Sequence, residues 1–348
     1  MARPPASLRA LAVARGDEPA DILLMGGRVL SPVTREWVET DLAIADGVVA
    51  GWGHREAREI IDVTGCWLTP GFVDAHMHLE SSKMWVSEYV RAVLPMGTTA
   101  VAADPHEIAN VAGVEGIAAL IDSAEKLPFT FGVAASSCVP ESPFASAGAA
   151  FGTDDVRRLI EEFGAIGVAE VMNYPAVING DPMFRDIIAT AGWRRVDGHA
   201  PGLRGNQLDA YIAAGVESDH ETFTPEEAHE KRQKGMWLFL RQGSVCQDLV
   251  ELLPTVLHHG PLCSAFCSDD REPDLLRDEG HINHCIRLAV GAGLNEIDAL
   301  LVGKKWSSPS TLTFSFTDSI NDYESTYENR ASHASSFQTM PSAAVAPT

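Results

Sequence analysis

The chemistry of this chain starts from His76 and His78, two positions apart in an apolar run, 71–79, that reads as a β-strand. Side chains at that spacing leave a strand on the same face, so both imidazoles can reach one ion. A pair of exposed strand histidines would show the same spacing. Here Asp74 precedes the pair and Glu80 follows it, after an apolar approach. More ligand-type side chains close later apolar runs. Glu170 stands in Val168-Ala169-Glu170-Val171-Met172, His199 follows Val196-Asp197-Gly198, His220 follows Glu217-Ser218-Asp219, and Asp269 and Asp270 follow Cys267-Ser268. Each alone reads equally well as a capped loop acid or a satisfied histidine. Together they supply four imidazoles and a carboxylate, a donor set suited to Zn, Mn or Fe. A buried carboxylate at Glu170 is costly unless it is paired or bound to a cation, and it could bridge two ions; a helix-capping or salt-bridged glutamate is the other reading. Asp104-Pro105-His106-Glu107 offers three further ligands, for another ion or for substrate, and a turn built on Asp-Pro accounts for it equally well. His54, His229, His258, His259, His284 and His333 lie away from strand ends and receive no role, and His281 falls in the loop after the last run.

These residues need elements that bring them to one place. Eight strand candidates, 71–79, 98–105, 129–137, 165–173, 195–200, 215–221, 236–244 and 262–270, alternate with helical stretches such as 153–163 and 205–214. Thr153 or Asp154 is expected to cap the first of these helices. The rhythm fits an α/β fold, either a (β/α)8 TIM-like barrel or a doubly wound sheet. Strand counting does not separate the two, but polar placement does. His, Asp and Glu end the first, second, fourth, fifth, sixth and eighth candidates, and in a barrel those ends converge on one mouth. Ahead of this, 21–31, 41–50 and 58–68 read as strands of a small β module. The expected organisation is a flexible N-terminus at 1–20, the incomplete β module at 21–69, the barrel at 70–303, and a Ser/Thr-rich, disordered tail at 304–348.

The bulk numbers narrow the function classes. A net charge of -22 repels phosphate backbones and anionic lipid, so nucleic acid and membrane are poor partners; solubility is its plain reading. No apolar run is long enough to span a bilayer, and the N-terminal segment lacks a signal-peptide core. The six cysteines form no CxxC pair or regular framework, as expected of reduced thiols in a cytoplasmic protein.

PGFVDAHMHLESS resembles the strand-one signature of the amidohydrolase superfamily. The segments TTAVAADPHEIANVAG, SSCVPESPFASAGA, VAEVMNYPAV, DGHAPGL, AGVESDHE and FCSDDREPDLLRDEGHIN narrow the resemblance to the adenine deaminases, over roughly 21–293. The resemblance implies hydrolytic deamination of adenine to hypoxanthine and ammonia at a binuclear Mn(II) or Fe(II) centre, with Zn(II) as an alternative. It implies that His76 and His78 hold one ion, His199 and His220 the other, and Glu170 bridges them in the place where many amidohydrolases use a carboxylated lysine. Asp269 would bind metal and act as base, making Asp269 and Glu170 the catalytic carboxylates. Substrate or further metal contacts would come from Glu80, Ser81, Cys138, Asp104, His106 and Glu107. The implied partner is a small purine, with a homo-oligomer compatible.

Two departures from the family pattern keep alternatives open. The seventh candidate strand ends Arg241-Gln242-Gly243-Ser244 where the family has Arg-Glu-Gly-Ser, which favours a different aminopurine or a cyclic amide as substrate. After about Leu301 the family's continuation is absent, so the chain reads as C-terminally truncated or divergent, which favours a non-catalytic relative.

Overall fold

The structure, a computed structural model, describes residues 7–142, 144–303 and 340–341. It divides into two compact units, separated between Gly71 and Phe72.

The first unit is a sheet of β1 (Ala20–Ser31), β2 (Glu36–Ala45), β3 (Val48–Trp52), β4 (Ala57–Asp62) and β5 (Cys66–Leu68), preceded by α1 (Leu8–Arg15). The flexible segment expected at 1–20 instead contains this helix. Ser7 accepts from Ala10 N at its start, and Gly16 closes it in the left-handed region. Its buried Ala10 and Val13 pack with Leu23, Ala43 and Ala45, while Leu24, Leu42 and Ile44 pack with Val29, Val63 and Leu68. Adjacent residues Leu23 and Leu24 thus serve two separate apolar clusters, as strand alternation requires. The strand expected at 41–50 is a hairpin corner. Asp46 and Gly47 both take positive φ, 50° and 72°, between the paired residues Ala45 and Val48, as a tight two-residue turn demands. The expected strand 58–68 is likewise two strands, parted by a turn at 63–65. Of the tail expected at 304–348, the two-residue strand β14 (Met340–Pro341) pairs antiparallel with β5. The rest of it lies outside the described residues.

The second unit alternates strand and helix. Its strands are β6 (Phe72–Met77), β7 (Thr98–Ala103), β8 (Thr130–Val133), β9 (Gly167–Val171), β10 (Arg195–Gly198), β11 (Ser218–Asp219), β12 (Trp237–Arg241) and β13 (Ser264–Cys267). The intervening helices are α2 (Val86–Val93), α3 (His106–Ala124), α4 (Thr153–Glu161), α5 (Tyr174–Ile178), α6 (Pro182–Thr190), α7 (Gly205–Ala213), α8 (Pro225–Gln233) and α9 (Leu249–His259). After β13 come α10 (Pro273–Asp278), α11 (Ile282–Gly291) and α12 (Glu296–Val302). Every strand lies beside the next. β6, β7 and β8 pair in parallel, as do β9 with β10, and β11 with β12 and β13. Ala135 bridges to Val168, and Glu217 N donates to Val196 O at 3.0 Å, joining the groups. Met77 bridges to Asp269, which returns the last strand to the first. β6, β9, β10 and β13 are buried along their whole length, as parallel strands covered on both faces must be.

The helices dock by apolar stripes at helical spacing. In α4, Val156, Leu159 and Ile160 are buried, and in α9, Leu249, Leu252, Leu253 and Val256 are. The expected cap of α4 moves by one residue: Gly152 is the cap, and its N–H donates to Asp155 Oδ2 at 2.9 Å. Thr153 is therefore already inside the helix.

Candidate metal centre

The candidate ligands of the second unit stand at or just beyond the carboxyl ends of its strands. His76 and His78, near the end of β6, are 2% and 4% exposed, and their Nε2 atoms stand 3.2 Å apart. The Nδ1 of His78 donates to the Asp104 carbonyl at 2.8 Å, which leaves Nε2 as the free ligand atom. Glu170, on β9, sits at the middle. Its Oε2 is 2.7 Å from His199 Nδ1 and 3.2 Å from His220 Nε2. Its Oε1 is 3.4 Å from His78 Nε2 and 3.2 Å from His106 Nδ1. One carboxylate thus faces four imidazoles, two per oxygen.

Asp269 follows β13 in the left-handed region, at φ 54°, unusual for a residue with a side chain. Its backbone is held on both sides by β6: Asp269 N donates to His76 O at 3.0 Å, and His78 N donates to Asp269 O at 3.2 Å. Oδ1 lies 3.2 Å from His78 Nε2 and 3.6 Å from His76 Nε2. Oδ2 accepts from Arg241 Nη1 at 2.9 Å. Arg241 also meets Glu221 and Asp248, so this fully buried guanidinium fixes the outer oxygen while the inner one faces the imidazoles.

These six residues, expected from the sequence as ligands, therefore converge, and two of the further candidates join them. His106 and Asp104 join His78 and Glu170 in one group whose ligand atoms all lie within 4.8 Å of one another. Asp104 Oδ2 is 3.2 Å from His106 Nδ1, and its Oδ1 accepts from Ser136 at 2.8 Å. Glu107 reaches the rim, with Oε2 3.7 Å from His78 Nδ1 and Oε1 3.5 Å from His106 Nε2. Glu80 Oε1 accepts from Ile108 N at 2.9 Å. Ser81 is turned away to Asp270. Cys138 is buried beside Ser137, which donates to its Sγ at 3.3 Å, and it enters none of the ligand groups. Burial pushes its thiol up, against thiolate formation.

The electrostatics fit a cation. Burial pushes Glu170 up, but hydrogen bonds from His106, His199 and His220 outweigh it and hold the carboxyl well below the ordinary glutamate range. The same balance lowers Asp269, where His76 and His78 outweigh burial. Burial pulls His220 down, but Glu170 raises it to about 9. Burial likewise opposes His106, yet Asp104 and Glu170 bring it up to about 12. His76 goes the other way, lowered by burial and then by the charge of His220. Anionic oxygens here favour positive charge among converging imidazole nitrogens, a charge that a divalent ion can supply in place of the protons. His220 Nδ1 is buried with no hydrogen-bond partner, and its ring stacks on His76 at 4.0 Å. Imidazole nitrogens and carboxylate oxygens without thiolate suit Mn, Fe or Zn, so the residues present fit such an ion.

Several supporting residues carry no sequence signal of their own. His281, fully buried, meets Asp74 Oδ2 with Nε2 at 2.9 Å and Thr98 Oγ1 with Nδ1 at 2.8 Å, and Tyr89 OH stands 3.1 Å from the same Nε2. Asp74 also accepts from the backbone N–H groups of His76 and Ser268, at 3.3 and 3.0 Å, and from the Ser268 hydroxyl. It ties β6 to β13 one residue before Asp269. Lys231, from α8, is buried against Asp219, Glu227 and Thr222. The order of strands around the unit brings His281 to Asp74 and Lys231 to Asp219, although Lys231 and Glu227 already stand one turn apart on α8.

The amidohydrolase family profile matches residues 67–287. The chain is similar to the adenine deaminase of Petrotoga mobilis, 40% identical over 290 residues, which covers 83% of this chain and 51% of that protein. It is 43% identical over 293 residues to the adenine deaminase of Archaeoglobus fulgidus, covering 84% and 52%. The chain spans about half the length of the curated relatives it matches. Among solved structures, the β-aspartyl dipeptidase of Fervidobacterium islandicum superposes with a TM-score of 0.56 at 17% identity, covering 82% of this chain and 85% of that one. At that identity the likeness speaks for the fold alone.

Proposed function

The chain belongs to the amidohydrolase family, and from that premise we propose that it deaminates adenine hydrolytically, releasing ammonia and hypoxanthine. The observation that carries the proposal is Glu170, with two imidazoles on each oxygen, in a chain similar to adenine deaminases over four-fifths of its length. We further read residues 70–303 as a (β/α)8 barrel with the site at its carboxyl mouth and 21–69 as an incomplete β module. The unbroken order of strand neighbours supports the first part of that reading.

The family implies a divalent metal centre. In this proposal His76 and His78 would hold one ion and His199 and His220 the other, with Glu170 shared between them and Asp269 offering its inner oxygen. Mn(II) or Fe(II) suits the donors, and Zn(II) fits them as well. When bound, such ions lower the pKa of water so that it can attack at neutral pH. The chain's own residues do the rest. Asp269 carries the proton on Oδ1, because Oδ2 is held by Arg241 at 2.9 Å. From Oδ1 it passes the proton to the ring or to the departing amine. The His78 and Asp104 pairing fixes the imidazole tautomer, and the Asp74 and Ser268 contacts fix the turn that carries Asp269. The reading assigns a small purine as partner and a cytoplasmic place of work, which the six free cysteines support.

Gln242, only 6% exposed at the end of β12, favours a second reading, another aminopurine or a cyclic amide as substrate. One experiment decides. Protein loaded with Mn(II) or Fe(II) is expected to release ammonia from adenine as the adenine absorbance falls. Two bound ions without adenine turnover, but with turnover of another aminopurine or a cyclic amide, would move the assignment to the second reading. Two bound ions and no turnover of any of these would leave a non-catalytic relative.

A further inference from the structure

Glu80 Oε2, Glu107 Oε2 and Asn110 Oδ1 are buried oxygens with no hydrogen-bond partner, and among the described residues they are the side-chain oxygens for which this is so. They share one place, the first turn of α3. Glu107 and Asn110 are three residues apart on that helix and so lie on one face of it. Glu80 is docked onto the same turn, because its other oxygen accepts from Ile108 N at 2.9 Å. The place adjoins the candidate metal centre, since Glu107 Oε2 lies 3.7 Å from His78 Nδ1. That nitrogen does not satisfy it, because its proton goes to the Asp104 carbonyl at 2.8 Å. His106, 3.2 Å from Glu170 on one ring nitrogen and 3.5 Å from Glu107 on the other, links the two places.

Buried polar atoms are nearly always paired, so three orphans in one turn call for a partner that arrives with a ligand. All three are acceptors, and an ionised carboxylate or an amide oxygen is answered by a hydrogen-bond donor or a cation. We propose that Glu80, Glu107 and Asn110 form a donor-reading subsite that accepts the N–H of the five-membered ring of an unsubstituted purine base. This rests on the purine reading above and sharpens it. A base carrying a methyl or sugar on that nitrogen brings no N–H and leaves the acceptors dry. Sites built to hydrogen-bond an N–H reject the analogue lacking it by large factors.

The test uses the metal-loaded full chain and two ligands, adenine and 9-methyladenine, with kcat, KM, equilibrium binding and metal content measured for wild type, Glu107→Gln and Glu80→Gln. Wild type is expected to prefer adenine over 9-methyladenine by about 100-fold or more in kcat/KM. Each variant is expected to raise KM for adenine about tenfold, keep kcat within about threefold and narrow the preference about tenfold, with metal content unchanged. Unchanged KM and unchanged preference in both variants would overturn the subsite. A third metal equivalent in wild type that both variants lose would overturn it as well, assigning the oxygens to a cation. If wild type does not turn adenine over, the proposed activity fails by itself; tight binding of adenine with weak binding of 9-methyladenine then still upholds the subsite. Equal binding of the two ligands, or of neither, overturns it.

Discussion

The two flanks of the candidate centre are built on opposite rules. Beside β6, β10, β11 and β13 every buried carboxylate is fully engaged. Asp74 takes two backbone N–H groups, a hydroxyl and His281, and Asp197 takes Arg195 and Ser218. Asp219 takes Ala200 N, Thr222 and Lys231. At the start of α3, Glu80 and Glu107 each keep a buried oxygen without a partner. Burial pushes Glu107 up to about 7 and raises Glu80 too, a sign that the fold does not compensate these charges. The contrast teaches where precision and where reception are needed. Groups that must hold Asp269 and the histidines still are saturated with partners, while groups that meet a ligand keep capacity in reserve.

Breaking the saturated flank should have the largest consequences. Asp269→Asn is expected to keep the fold yet lower kcat by about 10^3- to 10^4-fold, about 4 to 5.5 kcal/mol of barrier. Normal adenine turnover by that variant would show that the base lies elsewhere. Lys231→Met leaves Asp219 and Glu227 buried beside each other with their shared cation gone. A loss of about 3–5 kcal/mol in urea unfolding is expected, and a neutral outcome would mean that this network is not saturated as described. His281→Ala strips Asp74 of one partner while its backbone donors remain, so a smaller loss of about 2–3 kcal/mol should appear in the same measurement. The last prediction reverses sign. Glu107→Gln removes an uncompensated buried charge and should raise the unfolding free energy in urea by about 0.5–1 kcal/mol, while it weakens adenine binding. Destabilisation by that variant would place Glu107 on the saturated side and erase the contrast.

Much of this was legible in the chain. The alternation of apolar strand and amphipathic helix appears at nearly the expected positions, since helix and strand periods are local. The small unit was less legible, because tight turns decide where its strands end. Asp46-Gly47 breaks one expected strand, and the Asp62 carboxylate, accepting from Thr64 N at 2.9 Å, helps turn another. The first helix was missed because only eight residues, capped by Ser7, carry it. His281 gave no signal, since a histidine in a loop looks the same whether it is exposed or wedged under a carboxylate.

The sequence by itself determined which side chains stand at strand ends, and that His76 and His78 share a face. That follows from the two-residue strand period, which needs no knowledge of the rest of the chain. Only the tertiary structure decided that each Glu170 oxygen meets two imidazoles, that Arg241 takes the outer oxygen of Asp269, and that Asp74 meets His281. It also decided which oxygens were left over at the first turn of α3. Those pairings join residues distant in the chain, brought together by the lateral order of the strands, which no local pattern encodes.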